Sequence, residues 1–282
     1  RETTAHYEQP CWVREEITLH KNMAFRNLDG SSISFVQDNE INFEPSSHTY
    51  TVAGIGIMTP VSTVISRFFK PFDAEYWSLR KCEGNLQKAE ELREKWKAIG
   101  KLASYAGTYL HLQIENFLRE GKEADLVSQF SFDGKYVRIK EVINISKEWT
   151  YFKKFHQTAS YTPFRTEWCV YDTASRMAGT IDLLCSCQDG TYEMYDWKRS
   201  SNINPDEVNK WSSGINGLEH LSDTAYFHYC LQQNLYRYML EKNYGLCISN
   251  MHLVVLHPHK SNYEVINIPR MDKEVDIIIK FI

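Results

Sequence analysis

Glycine and proline are scarce in this chain: 13 Gly and 8 Pro among 282 residues, about 7% against the roughly 12% usual for proteins. That excludes collagen-like repeats and low-complexity linkers. No uninterrupted apolar run approaches the ~18 residues a membrane-spanning helix needs, so a soluble protein without membrane partners is expected. The seven cysteines are odd in number and contain no CxxC pair, which argues against a disulfide framework and a paired zinc knuckle. A reducing, intracellular setting is expected, with nothing to separate nucleus, mitochondrion or a virus-associated location. No GxxxxGK[ST] phosphate loop occurs, so the chain brings no helicase or ATPase motor of its own. Positive charge is not in excess either: 32 Lys and Arg stand against 36 Asp and Glu, net −4, which rules out coating nucleic acid by bulk charge. The chain opens Arg1-Glu2-Thr3 rather than with methionine, as a trimmed chain or a domain of a longer protein would.

What is present is ordinary globular material, 43% hydrophobic and 24% charged, enough for a sizeable core. The charge is segregated. Residues 80–101 hold seven Lys or Arg against four Glu, net +3, and residues 134–156 hold six against two, net +4. A focused basic track beside an acidic centre is therefore compatible with the negative total.

Periodicity divides the chain. Residues 42–45 and 48–54 read as two short strands around a Pro-Ser-Ser turn, with Pro60 at N1 of a helix over 61–69. Helical composition runs from 73 to 118, with breaks expected at Gly84, Gly100 and Gly107. Val142, Ile145, Trp149, Phe152 and Phe155 predict an amphipathic helix over 141–158. Strands are expected at 162–171, 177–187 and 191–198. After a polar stretch over 199–220 come a helix at 221–243, strands at 250–257 and 263–268, and a closing helix. This order implies an α/β fold: a mixed central sheet flanked by helices.

Asp196-Trp197-Lys198 ends the third of those strands, and alternation puts Asp196 and Lys198 on one face with Trp197 on the other. Glu120-Gly121-Lys122 and Asp133-Gly134-Lys135 repeat the spacing but sit in turns, so the spacing alone carries little. Asp182, in Gly179-Thr180-Ile181-Asp182 on the preceding strand, adds a second acid. A two-residue Asp-Gly turn would set Asp182 opposite Trp197. A three-residue turn over Gln188-Asp189-Gly190, with Gly190 left-handed in a G1 bulge, pairs Cys187 with Thr191 and sets Asp182 opposite Asp196. Only the bulged turn gathers both carboxylates and Lys198, and it is the one predicted. Two adjacent carboxylates call for a cation between them, and a divalent metal with oxygen ligands is suited to that role; a solvated pair of surface acids is the plain alternative.

Gly107-Thr108-Tyr109-Leu110-His111, Gly179-Thr180-Ile181-Asp182, Asp196-Trp197-Lys198 and Gln232-Gln233-Asn234-Leu235-Tyr236, in that order, resemble the PD-(D/E)XK (restriction-endonuclease-like) nucleases. More narrowly they resemble the RecB-like exonuclease branch, with its helix-borne histidine, GxxD, DxK and QxxxY. The likeness spans about residues 100–257. It implies a nuclease core over 100–282 carrying an N-terminal extension over 1–99, with a β-hairpin and helices, packed on the core as one continuous unit. It also implies that His111, Asp182, Asp196 and the Trp197 carbonyl ligate one or two Mg²⁺ or Mn²⁺ ions, while Lys198 orients the attacking water or stabilises charge on the phosphate. Imidazole suits Mn²⁺ better than Mg²⁺. Glu115, four residues after His111 on the same helix face, is a candidate for a second metal or a ligand water. Gln232 and Tyr236 are expected to touch DNA or position the lysine, and Glu167 to stand as a supporting acid behind the ligands. Some relatives carry an iron–sulfur cluster; here Cys82, Cys230 and Cys247 are too few and too widely spaced, so none is expected.

The function these residues imply is metal-dependent hydrolysis of DNA, preferentially from single-stranded ends, in replication, recombination or repair, with other domains or proteins of those processes as partners. An RNA endonuclease of the cap-snatching type and a non-catalytic nucleic-acid-binding scaffold are the alternatives.

Overall fold

The structure is a computed structural model that describes residues 27–282; the first 26 residues of the anticipated extension lie outside the described residues. Among the described residues, ten strands and six α-helices follow one another: β1 (Ile41–Glu44), β2 (Thr49–Val52), β3 (Gly56–Pro60), α1 (Val61–Ser66), α2 (Ala74–Lys81), α3 (Leu86–Glu120), β4 (Val127–Asp133), β5 (Arg138–Asn144), α4 (Ser146–Thr158), β6 (Thr162–Asp172), β7 (Met177–Ser186), β8 (Tyr192–Lys198), α5 (Ala225–Asn243), β9 (Ile248–Val255), β10 (Glu264–Asn267) and α6 (Asp272–Phe281).

The centre is an eight-stranded mixed sheet in the order β1-β2-β3-β7-β8-β9-β10, with β6 also paired to β7. The β3–β7 and β8–β9 pairs are parallel and the others antiparallel. Alternation along the strands feeds two hydrophobic clusters. Met194, Leu253 and Val255 join Leu231, Leu235 and Met239 of α5 and Ile278 of α6. Trp197 and Val254 join Leu110 and Ile114 of α3 and Phe152 and Phe155 of α4. Helices therefore cover both faces, the α/β arrangement expected from the element order.

Three expectations need correction. First, α3 runs through Gly100 and Gly107 as one 35-residue helix, about 52 Å long. The asparagine at its N-cap accepts the Lys88 N–H at 3.0 Å, and Gly121, left-handed at φ 68°, closes its other end. Each interior glycine costs about 1 kcal/mol; burial of Ala98, Tyr105, Ala106, Tyr109 and Leu110 offsets it. Of the three glycines only Gly84 marks a break, and residues 99–100 lie inside the helix. Second, Val142 belongs to the β4–β5 hairpin and is largely exposed; α4 begins only at Ser146, whose N–H donates to Asn144 Oδ1 at 2.9 Å. Third, β3 precedes α1, and Pro60 ends that strand as the helix N-cap.

The two basic segments meet. Glu90 of α3 accepts from Tyr136 Oη at 2.7 Å and pairs with Lys135 at 3.3 Å, and Glu94 accepts the Tyr136 N–H at 2.9 Å. The β4–β5 turn thus braces the first half of α3. None of the described helices is long and apolar enough to cross a membrane.

Candidate metal centre

A gap in the sheet creates the site. Strand β7 has two edges, and β6 pairs along one of them from Met177 to Ser186. Both β3, at Met177 and Ala178, and β8, from Leu183 to Ser186, must therefore share the other. Between them, Gly179 to Asp182 face no strand of the described residues on that edge, and side chains such as Tyr236 and Asp182 fill the opening.

The turn that sets the register is the bulged one. Cys187 N–H donates to Thr191 O at 2.9 Å, Gly190 N–H donates back to Cys187 O at 3.1 Å, and Gly190 is left-handed at φ 83°. The ladder pairs Leu183 with Tyr195, so the next step sets Asp182 opposite Asp196. There the ladder gives way: Asp182 Oδ2 accepts the Trp197 N–H at 2.9 Å.

Glu167 approaches from β6. Thr166 pairs with Leu183 and Trp168 with Ile181, which leaves Glu167 across from Asp182. Its backbone is left-handed at φ 47°, a conformation that costs a residue with a side chain about 1–2 kcal/mol. His111 enters from α3. Its Nε2 lies 2.9 Å from the Trp197 carbonyl oxygen, which can only accept, so Nε2 carries a proton. Nδ1 then faces Asp182 Oδ2 at 3.5 Å and Glu167 Oε1 at 3.6 Å.

His111, Glu167 and Asp182 each offer one ligand atom, all within 4.8 Å of one another. Side-chain exposures of 25% for His111 and 26% for Glu167 keep the group open to an incoming ion. One imidazole nitrogen, whose other nitrogen is fixed by a carbonyl, and two carboxylates form a donor set that suits Mn²⁺ and accepts Mg²⁺. Glu167, expected as a supporting acid, thus stands within the candidate ligand group. The Trp197 carbonyl orients His111.

Asp196 stands beside this group. Its Oδ1 accepts from Gln233 Nε2 at 3.0 Å, and Lys198 Nζ lies 2.7 Å from its Oδ2. That ion pair holds Oδ2 against the ammonium, so both carboxylate oxygens of Asp196 are engaged. Lys198 Nζ also reaches Gln232 Oε1 at 3.4 Å and lies 4.3 Å from the centre of the Tyr229 ring. Gln232 Nε2 donates to Tyr236 Oη at 3.3 Å. The Tyr236 ring explains Gly179: a Cβ there would lie 2.5 Å from Tyr236 Cε1. Glu115 is bonded to Arg119, Oε1 to Nε at 2.8 Å, and Arg119 Nη2 donates to the Thr166 carbonyl at 2.9 Å, next to the turn at Glu167.

The electrostatics are those of an acidic pocket short of positive charge. Burial raises the pKa of Asp182, Glu167 and Asp196, the last to about 6. Burial opposes charge on His111, yet Asp182 and then Glu167 outweigh it and lift the imidazole to about 9. Lys198 is likewise raised against burial, by Asp196 and Asp182. A divalent cation would relieve all three acids together.

The sequence does not reveal Glu167 as a member of the candidate ligand group or Gln233 as the partner of Asp196. Nothing in the sequence signals a left-handed glutamate inside a strand. Gln233 was in view within the Gln232–Tyr236 motif, but helical spacing alone does not say which glutamine meets the acid.

No family model and no curated protein matches the chain. Among solved structures, the crystal structure of SSO0001 overlaps it with a TM-score of 0.31 at 12% identity, over 79% of this chain and 73% of that one. That likeness is too slight to carry an argument.

Proposed function

We propose that this protein is a metal-dependent nuclease of the PD-(D/E)XK superfamily, RecB-like branch, that hydrolyses DNA phosphodiester bonds, preferentially from single-stranded ends. The observation that carries the reading is the meeting, at one gap in a mixed sheet, of His111 from α3, Glu167 from β6, Asp182 from β7, Asp196 and Lys198 from β8, and Gln232 and Tyr236 from α5. All four motifs of the resemblance contribute to it. The juxtaposed basic segments on α3 and the β4–β5 hairpin suit a polyanion.

His111, Glu167 and Asp182 would hold the Mg²⁺ or Mn²⁺ ion, with Asp196 beside them paired to Lys198. When bound, such an ion acidifies water and neutralises phosphate charge. The chain's own groups supply the rest. Lys198, fixed by Asp196, Gln232 and the Tyr229 face and raised in pKa, remains an ammonium at neutral pH. It is therefore unsuited to take a proton and suited to stabilise negative charge growing on a phosphate oxygen. Gln232 ties the lysine to Tyr236, and Tyr236 packs on Gly179, so α5 fixes the lysine relative to β7.

The test is incubation with end-labelled single-stranded DNA, duplex DNA and RNA in Mg²⁺, Mn²⁺ or EDTA, beside Lys198→Ala and Asp196→Ala. Metal-dependent shortening of single-stranded DNA that both substitutions abolish is the expected result. Cleavage of RNA alone would favour the cap-snatching reading, and binding without cleavage in every metal would favour a scaffold.

A further inference from the structure

One residue beyond Lys198, at the carboxyl ends of the parallel strands β8 and β9, Arg199 donates through Nε to Glu148 Oε1 of α4 at 2.8 Å. Glu148 is fully buried, and its Oε2 has no hydrogen-bond partner. A carboxylate in such a place demands a cation held against it, so the acid anchors the guanidinium by one edge. Nη1 and Nη2 have no hydrogen-bond partner among the described residues, and the side chain keeps 19% of its surface open.

The neighbouring strand adds a second donor. Leu256 N–H bonds to Lys198 O at 2.8 Å, which sets Leu256 beside Arg199 and His257 one residue further on, near enough for the Arg199 charge to act on its ring. His257 Nδ1 accepts the His259 N–H at 3.2 Å, so the ring proton sits on Nε2, which has no partner among the described residues. Burial and then Arg199 depress the His257 pKa, which keeps the ring a neutral donor at pH 7. Lys147, whose Nζ bonds to Pro258 O at 3.2 Å, brings further positive charge to this corner.

Ligands of open α/β sheets sit outside the carboxyl ends of their parallel strands. A guanidinium anchored at Nε, with both Nη groups open, matches the paired oxygens of a phosphate. Arg199 follows by two residues the carbonyl that orients His111, so its backbone lies about 7 Å further along the chain from the candidate metal group. We propose that Arg199 and His257 form a phosphate subsite that grips the phosphodiester adjacent to the one being cut. The identity of the strand rests on the nuclease reading; the anion site itself does not.

The test measures binding in EDTA, where no cleavage occurs, using fluorescently labelled oligothymidylate with a single neutral methylphosphonate moved along the strand. With wild-type protein, one position should weaken binding roughly 10-fold. The double variant Arg199→Met with Glu148→Met, which leaves no buried charge unpaired, should bind the unmodified strand roughly 10-fold more weakly and show no effect of methylphosphonate at that position. Arg199→Lys keeps a cation against Glu148 but loses the fork, and should lose the same positional effect if the double variant fails to fold. A flat methylphosphonate scan, or a positional effect that survives in a folded variant, overturns the subsite. Absence of cleavage by wild-type protein in Mn²⁺, with the positional effect intact, removes the nuclease reading and leaves the subsite standing.

Discussion

Replacing Gly179 with alanine should disturb stability and the lysine together, through one ring. An added Cβ would stand 2.5 Å from Tyr236 Cε1, 2.8 Å from its Oη and 3.0 Å from Cζ. Carbon atoms settle at about 3.5–4.0 Å, so ring or strand must yield by about 1 Å. Tyr236 is 5% exposed and belongs to the main buried cluster, which leaves the ring little room to swing. Overpacking of this kind costs about 1–3 kcal/mol, and each kcal/mol lowers Tm by about 2–4 °C in a domain of this size. Denaturant unfolding of Gly179→Ala, Tyr236→Ala and the double variant measures it. Tyr236→Ala alone should cost about 3–5 kcal/mol, and the double variant should be more stable than the sum of the two by about 1–3 kcal/mol, because the clash disappears with the ring. Additivity within about 0.5 kcal/mol, or a neutral Gly179→Ala, would refute the contact.

In EDTA, the pH dependence of stability should have a defined sign. His111 is raised to about 9 from an ordinary 6.5, so its contribution is fully present below pH 6.5 and lost as pH rises through 9, up to about 3 kcal/mol. Asp196, raised to about 6 from 3.8, adds a loss of the same sign between about pH 4 and 6. Chemical denaturation should show the upper loss disappearing in His111→Gln and shrinking in saturating Mn²⁺; stability that rises from pH 6.5 to 9 would contradict it. Glu167 should trade stability for binding. Glu167→Gly removes a left-handed side chain and one of three crowded acids, so Tm in EDTA should rise, while Mn²⁺ affinity by calorimetry should fall more than about 10-fold. An unchanged Mn²⁺ affinity would remove Glu167 from the ligand group.

Where side-chain pattern and turn chemistry act locally, the sequence could be read. Gln188-Asp189-Gly190 needs a left-handed residue that glycine supplies, and the resulting register puts Asp182 across from Asp196. Trp197 turns to the α3–α4 cluster while Asp196 and Lys198 meet α5, as strand alternation requires. Tertiary effects were hidden. Long-range burial carries α3 through two glycines, and the β4–β5 hairpin buries Phe130 and Ile143 while other apolar residues, Val127 and Val142, face solvent, which blurs its signature. The role of Glu167 depends on a backbone turn within β6, stabilised at a neighbouring carbonyl by Arg119 from 47 residues away.

On the proposed reading, one ion held by His111, Glu167 and Asp182 would make the protein a phosphodiesterase. The most direct test of that reading is a Mn²⁺ titration of a single preparation, read at each concentration both by bound metal in electron paramagnetic resonance and by cleavage of labelled single-stranded DNA. The two curves should coincide, with half-maximal cleavage at half-occupancy, and Asp182→Asn should lose both together. Cleavage that persists in Asp182→Asn, or Mn²⁺ bound at full occupancy without cleavage of any nucleic acid, would contradict it.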